Sequence, residues 1–250
     1  MRHLFYLMGK SASGKDTIYE ELLRDESLNL DPLIPWTTRP IRDGEKDGQE
    51  YHYTDEEGLR RLELQGRVIE KRTYSTVLGP WTYFTVDDGI LEKDRDLLGI
   101  GTLDSYVKIR DYFRRAGAKV LAGPEASAGA KVLAGPEASA GANVLAGPEA
   151  AAGADRRTGS CAGTGDTVVP LYIQVDDGLR LQRALKREMK PGNHKYEEMC
   201  RRFLADQRDF SEDRLKAAGI ELRFENDADR AVCIRQVADY IRRRKCADSI

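Results

Sequence analysis

The sequence predicts an α/β domain: a parallel sheet flanked by helices. Three observations predict it. Strand-like and helix-like segments alternate along the chain. The first strand feeds a glycine-rich loop that opens a helix. The first strand is also apolar enough to be buried on both faces. Residues 3–8 (HLFYLM) read as that buried strand. Residues 14–25 read as a helix, with Ile18, Leu22 and Leu23 on one face. Strands are expected at 67–72 and 96–101, then a helix near 103–115. Residues 168–175 (VVPLYIQV) read as a strand despite Pro170, which removes one ladder donor. Helices near 177–189 and 195–217, a strand near 220–225 and a helix near 229–244 complete the alternation.

Composition narrows the function classes. The chain has 250 residues, 40% hydrophobic and 33% charged, which fits a globular protein with a sizeable core. Its formal net charge of −2 argues against bulk electrostatic binding to nucleic acid or membranes, so neither partner is expected. No run approaches the roughly 18 apolar residues of a membrane span. The opening MRHLFYLMGK reaches the glycine-rich loop too soon to be a leader peptide. Cys161, Cys200, Cys233 and Cys246 have no C-x-x-C spacing, so a zinc or redox motif is not indicated and a reducing, cytoplasmic setting is expected.

One stretch stands apart. Residues 116–127 (AGAKVLAGPEAS) recur letter for letter at 128–139, and 140–151 is a near copy. Each copy carries a Gly-Pro break and a single Val-Leu pair, too little to sustain a long helix or a core. The expectation for 116–166 is a disordered or loosely helical surface insertion; a small repeat solenoid is the alternative. The rest, 1–115 and 167–244, forms one domain of ordinary size.

The strongest local signal is Gly9-Lys10-Ser11-Ala12-Ser13-Gly14-Lys15-Asp16-Thr17 between the first strand and the first helix. Two glycines let the backbone curl until successive N–H groups face phosphate oxygens, and the helix N-terminus adds partial positive charge. Lys15 would reach the outer phosphates as a point charge. This is the P-loop pattern of nucleotide-binding α/β proteins. It departs at one position: Asp16 stands where a Ser or Thr normally holds Mg²⁺. Either Thr17 supplies that hydroxyl or the Asp16 carboxylate serves the metal.

A second basic segment follows: Thr37-Thr38-Arg39-Pro40-Ile41-Arg42-Asp43-Gly44-Glu45-Lys46-Asp47-Gly48-Gln49-Glu50-Tyr51. Two guanidinium forks and a phenol in a turn-rich stretch suit a second phosphate-bearing substrate. The run T-T-R-x-x-R-x-G-E-x-x-G-x-x-Y resembles the guanylate kinase signature. With the P-loop before it and an arginine-rich region after it, the chain resembles that family over 1–115 and 167–244. The resemblance implies a P-loop NTPase-type fold, with a monophosphate-binding part at about 34–86 and a helical lid at about 183–205. It implies Arg39, Arg42, Tyr51 and Tyr83 on the acceptor phosphate, and Glu70 and Thr85 on the base. Arg183, Arg187 and Arg202 would be lid arginines, and Asn226 would lie near the adenine of ATP. ATP, GMP and Mg²⁺ are the implied ligands.

By that resemblance, Lys15 and Mg²⁺ would hold the donor phosphates while Arg39 and Arg42 hold the acceptor. Lid closure would bring in the remaining arginines and exclude water. Three departures bear on the base and the metal: Pro35-Trp36 where serine is common, Gly99 and Gly101 where the family has an Asp-x-Asp, and Asp16 after the lysine. Two alternatives stay open. One is a kinase for another nucleoside monophosphate; the other is a non-catalytic binding module on the same scaffold.

Overall fold

A computed structural model describes residues 3–76, 79–89, 95–121, 168–190 and 194–247. Five strands form the main sheet: β1 (Leu4–Met8), β2 (Leu30–Pro32), β7 (Asp96–Gly101), β8 (Val168–Gln174) and β9 (Arg223–Glu225). Their order is β2-β7-β1-β8-β9, and every pairing is parallel. The expected fold class is therefore observed, and β1 sits at its centre as a strand buried on both faces should.

The two faces of β1 seed two cores. Leu4, Tyr6 and Met8 pack with Tyr106, Ile109 and Phe113 of α3 (Leu103–Leu121). Phe5 and Leu7 pack with Ile18 and Leu22 of α1 (Lys15–Arg24), and with Val237 and Ile241 of α7 (Arg230–Ala247). The period-2 alternation of a strand thus divides one apolar run between two helical layers. Pro170 is accommodated because β9 begins only opposite Tyr172, so β8 has a partner on one side alone at the proline.

A second, four-stranded sheet has the order β4-β3-β6-β5. It contains β3 (Trp36–Thr37), β4 (His52–Tyr53), β5 (Val68–Thr76) and β6 (Gly79–Val86), with α2 (Glu56–Leu64) packed beside it through Leu59. Of these, the sequence analysis anticipates only the first part of β5. The α2 start was legible, however: Asp55 accepts from the Gly58 N–H at 2.7 Å, an ordinary N-cap.

Two expectations need correction. The helix expected at 195–217 is two helices, α5 (Tyr196–Asp209) and α6 (Glu212–Ala217). The chain leaves helical geometry at Phe210, which turns inward to stack on Tyr172, and Ser211 restarts it from an extended conformation. The strand expected at 220–225 shortens to β9, because Ile220 is drawn into the α3-side core instead. The first helix after β8, α4 (Asp177–Glu188), matches its expected span closely.

The expectation for 116–166 lies outside the described residues, except that α3 continues to Leu121. Cys200, Cys233 and Cys246 are free thiols, and burial pushes the Cys233 thiol up to about 11. No described helix is long and apolar enough to cross a membrane.

Candidate functional site

The loop after β1 is shaped by sterics at its two glycines. A Cβ on Gly9 would lie 2.7 Å from the Ile173 carbonyl oxygen and 2.8 Å from Ser13 Oγ. Gly14 has φ +85°, and a Cβ there would lie 2.7 Å from Asn226 Nδ2. Ala12 is also left-handed, at φ 63°. The turn closes by a hydrogen bond from Ser13 N–H to the Lys10 carbonyl at 3.1 Å. Gly14 is the N-cap of α1 and no side chain caps the helix, so the first-turn N–H groups and the positive end of the dipole have no side-chain acceptor there. Lys15 stands in the first turn with Nζ 3.2 Å from Asp16 Oδ2.

The loop is held from behind by residues far away in sequence. Asn226 is buried, and its Nδ2 donates to the Ser13 carbonyl at 2.8 Å. The residue that the sequence analysis misses is Arg180 of α4, 1% exposed. Its Nη1 donates to the Ser11 carbonyl at 2.9 Å and to Asp206 Oδ2 at 3.2 Å. Its Nε and Nη2 both donate to Asp177 Oδ1, at 2.9 and 2.7 Å, and its guanidinium lies 4.5 Å from the Phe203 ring centre. Asp206 also accepts from the Ser11 N–H at 2.8 Å, and Lys10 Nζ donates to Gln207 at 2.8 Å and to Asp177 at 3.2 Å. Burial opposes charge on Asp177, but hydrogen bonds from Gln207, Arg180 and Lys10 outweigh it and hold the carboxyl below its usual range. Lys10 and Ser11 are thereby fastened to the helices α4 and α5.

The basic segment folds as a clasp on the second sheet. Thr37 Oγ1 donates to the Thr82 carbonyl at 3.0 Å, and the Thr38 N–H donates to the same carbonyl at 2.9 Å. Gly44 and Gly48 take φ of +85° and +77°, which explains glycine at both positions. Arg39 is buried; its Nη2 donates to Glu45 Oε1 at 2.9 Å, and its guanidinium lies 5.5 Å from the Tyr51 ring centre. Tyr51 in turn meets Tyr83 edge to face at 5.5 Å. Arg39, Tyr51 and Tyr83 therefore come together, while Arg42 is exposed over Trp81 at 5.9 Å.

Glu45 holds this clasp. Hydrogen bonding from Arg39 brings its carboxyl down to about 2 against the cost of burial, and the Arg42 N–H and Tyr53 hydroxyl assist. Because the folded pKa is depressed, this contribution is fully present above the ordinary carboxyl range and is lost as pH falls from about 4.5 toward 2. Glu45→Gln is thus expected to be less stable than the parent in urea at pH 6, with the gap narrowing as pH approaches 3. A gap that stays constant with pH sinks this assignment.

Along β5 and β6, register places Glu70 opposite Thr85, Arg72 opposite Tyr83 and Tyr74 opposite Trp81. Alternation puts Glu70 and Arg72 on one face. The buried Glu70 accepts from Thr85 Oγ1 at 3.1 Å, from Ser105 Oγ at 3.3 Å and from Arg72 Nη2 at 3.4 Å. The departures at Gly99 and Gly101 find their reason here. A Cβ on Gly101 would lie 2.1 Å from the Tyr6 hydroxyl oxygen, and one on Gly99 would lie 2.7 Å from the Tyr6 ring. Tyr6 fills the space that side chains at those positions would need. Burial pushes its phenol well up, so it stays neutral.

The arginines expected in the lid are spread out. Arg183 Nη2 donates to the Asn226 carbonyl at 2.8 Å, beside the P-loop brace. Arg187 contacts Glu188 at 3.2 Å, and Arg202 contacts Glu198 at 2.7 Å, each along its own helix. For Mg²⁺, the relevant test is donor chemistry. The ion takes oxygen ligands and keeps several waters, using one or two protein groups plus phosphates. Asp16 and Thr17, a carboxylate and a hydroxyl in the first turn of α1, fit that donor set.

Comparison with known proteins bears on the family and the fold. The guanylate kinase family model matches residues 1–96. The chain is 33% identical over 100 residues to the guanylate kinase of Anaplasma phagocytophilum, covering 40% of this chain and 45% of that protein. It is 35% identical over 96 residues to the guanylate kinase of Syntrophomonas wolfei, covering 38% and 48% respectively. The matched stretch thus spans about half the length of these curated relatives. Among solved structures, the crystal structure of guanylate kinase from Anaplasma phagocytophilum superposes with a TM-score of 0.52 at 17% identity, covering 97% of this chain and 85% of that one. That likeness speaks to the fold.

Proposed function

We propose that this chain, which belongs to the guanylate kinase family through residues 1–96, transfers the γ-phosphoryl group of ATP to GMP or dGMP. The observation that carries the reading is the cradle after β1: two glycines with no room for a side chain, an uncapped helix N-terminus and Lys15 in its first turn. Such a cradle suits a polyphosphate and little else.

The chain's own groups do the following. Backbone N–H groups of the P-loop, with Lys15, bind and orient the donor phosphates. Arg39, Tyr51 and Tyr83, with Arg42 swinging in from solvent, grip the acceptor phosphate so that its oxygen faces the γ-phosphorus in line. Mg²⁺, when it arrives with ATP, neutralises phosphate charge, and Asp16 and Thr17 are the residues that would hold it. Movement of α4 and α5 would carry Arg183, Arg187 and Arg202 toward the phosphates and shut water out. No general base is needed, because the acceptor phosphate is already an anion. Asn226 and Arg180 act as positioning residues behind the loop.

The test is a coupled ADP-release assay with ATP and Mg²⁺, offering GMP, dGMP, AMP, UMP and CMP in parallel. Turnover with GMP or dGMP well above the rest supports the reading. Turnover with another nucleotide keeps the mechanism and discards the acceptor. Silence with all five, from folded protein, favours a binding module.

Residues 122–166 lie outside the described part, but the strand that follows them begins away from this site: β8 starts at Val168 beside Leu4, whereas the P-loop lies beyond the other end of β1. Replacing residues 122–166 by a short Gly-Ser linker is expected to leave turnover within about threefold, since loop closure depends only weakly on length. Loss of soluble protein or of turnover overturns that reading.

A further inference from the structure

Glu70 is a crowded carboxylate. An ionised carboxylate offers about four lone-pair positions. Its Oε1 accepts from Thr85 and from Arg72 Nη2; its Oε2 accepts from Ser105 and lies 3.2 Å from Arg72 Nε. Every position therefore has a protein donor against it. A nucleobase N–H could reach Glu70 only by displacing one of them.

Arg72 is the reverse case, since it has donors to spare. Of its five N–H groups, those on Nη1 meet only Thr102 among the described residues, at the long distance of 3.5 Å. Arg72 also stands opposite Tyr83, between Glu70 and the Arg39–Tyr51–Tyr83 clasp. Behind it, Tyr6 closes the end of β7, so no acidic side chain can project there from 99 or 101. Within this wall the Arg72 guanidinium is the group with a hydrogen-bond donor to spare.

We propose that Arg72 is the specificity-determining residue of the acceptor pocket: held in place by Glu70, it reads the 6-oxo group of a purine, and the 2-amino group is not read. This rests on the monophosphate-kinase reading above and names its substrate class as 6-oxopurine nucleotides. Inosine monophosphate is then as good a ligand as GMP. A purine that keeps the 2-amino group but lacks the 6-oxo group leaves Arg72 unpaired and is rejected.

The experiment measures both calorimetric binding and turnover with GMP, inosine monophosphate and 2-aminopurine riboside monophosphate. The parent protein is expected to bind the first two within about threefold of each other and the third at least about tenfold more weakly. Arg72→Ala, checked for folding by its thermal transition, is expected to bring the three ligands to within about threefold of one another. Arg72→Lys keeps a donor and is expected to retain part of the preference. A tenfold preference of the parent for GMP over inosine monophosphate overturns the proposal, and needs no variant to fold. So does an Arg72→Ala that weakens all three ligands equally, which marks a phosphate contact. Failure of the two ideas is distinguishable. The expected binding order without turnover discards the kinase and keeps the pocket assignment. Turnover confined to GMP does the opposite, and no binding of any ligand overturns the pocket assignment.

Discussion

Lys15→Ala is expected to lower phosphoryl transfer by about two to three orders of magnitude or more while leaving the fold intact. The two halves of that expectation have separate origins. In the folded chain, Lys15 is engaged with the neighbouring Asp16, their side chains 22% and 78% exposed, so water screens the pair from the Asp16 side. Exposed pairs contribute roughly 0–1 kcal/mol, so the thermal transition should move by no more than about 4 °C. During transfer, the ammonium would face charge that builds on the phosphates in a site closed to water. There a single positive group is worth several kcal/mol. The check is the ADP-release assay beside a thermal melt of the same sample. Turnover within tenfold of the parent would remove Lys15 from the machinery. A melt depressed by much more than 4 °C would mean that the loss came from the fold.

Arg180→Ala is expected to show the opposite signature, with stability lost first. Its side chain is 1% exposed and joins the Ser11 carbonyl, Asp206 and Asp177 around one guanidinium. Truncation leaves the loop carbonyl without the Arg180 donor and Asp206, 15% exposed, with the Ser11 N–H but without its cation, and removes the face that lies on Phe203. Breaking a buried pair by removing one partner costs about 3–5 kcal/mol; the partial exposure of Asp177 brings the expectation to about 2–4 kcal/mol. For a domain of this size that is a fall in melting temperature on the order of 5–15 °C. Arg180→Lys should fall between, because an ammonium cannot bridge two carboxylates and a carbonyl with one planar fork. Denaturant melts of the three proteins decide the matter. A loss under about 1 kcal/mol would show that solvent or Lys10 takes over the brace.

These two residues also mark how far the sequence could be read. Lys15 was legible because its setting is local: strand, glycine turn and helix start all lie within residues 4–15, and the backbone adopts φ > 0 where Gly14 stands. The 37–51 clasp was legible for the same reason, as Gly44 and Gly48 mark the turns and Arg39 pairs with Glu45 six residues on. Even so, Glu45 itself was passed over, although it is the group that fixes Arg39. The β5–β6 pair was only half seen, because its strands are too polar to read as core.

By itself, then, the sequence determined the α/β class, the glycine turn that opens α1 and the arginine clasp. Each depends on a short-range periodicity or on a backbone angle that few residues can adopt. Tertiary structure alone decided that Arg180 braces Ser11 across 169 residues, that Tyr6 occupies the space over Gly99 and Gly101, and that Thr85 and Ser105 converge on Glu70. Those outcomes depend on which strands become neighbours and which side chains meet across them. A glycine in a sequence marks only a missing side chain; what fills the space is set by the order β2-β7-β1-β8-β9, which brings Tyr6 of β1 against Gly99 and Gly101 of β7.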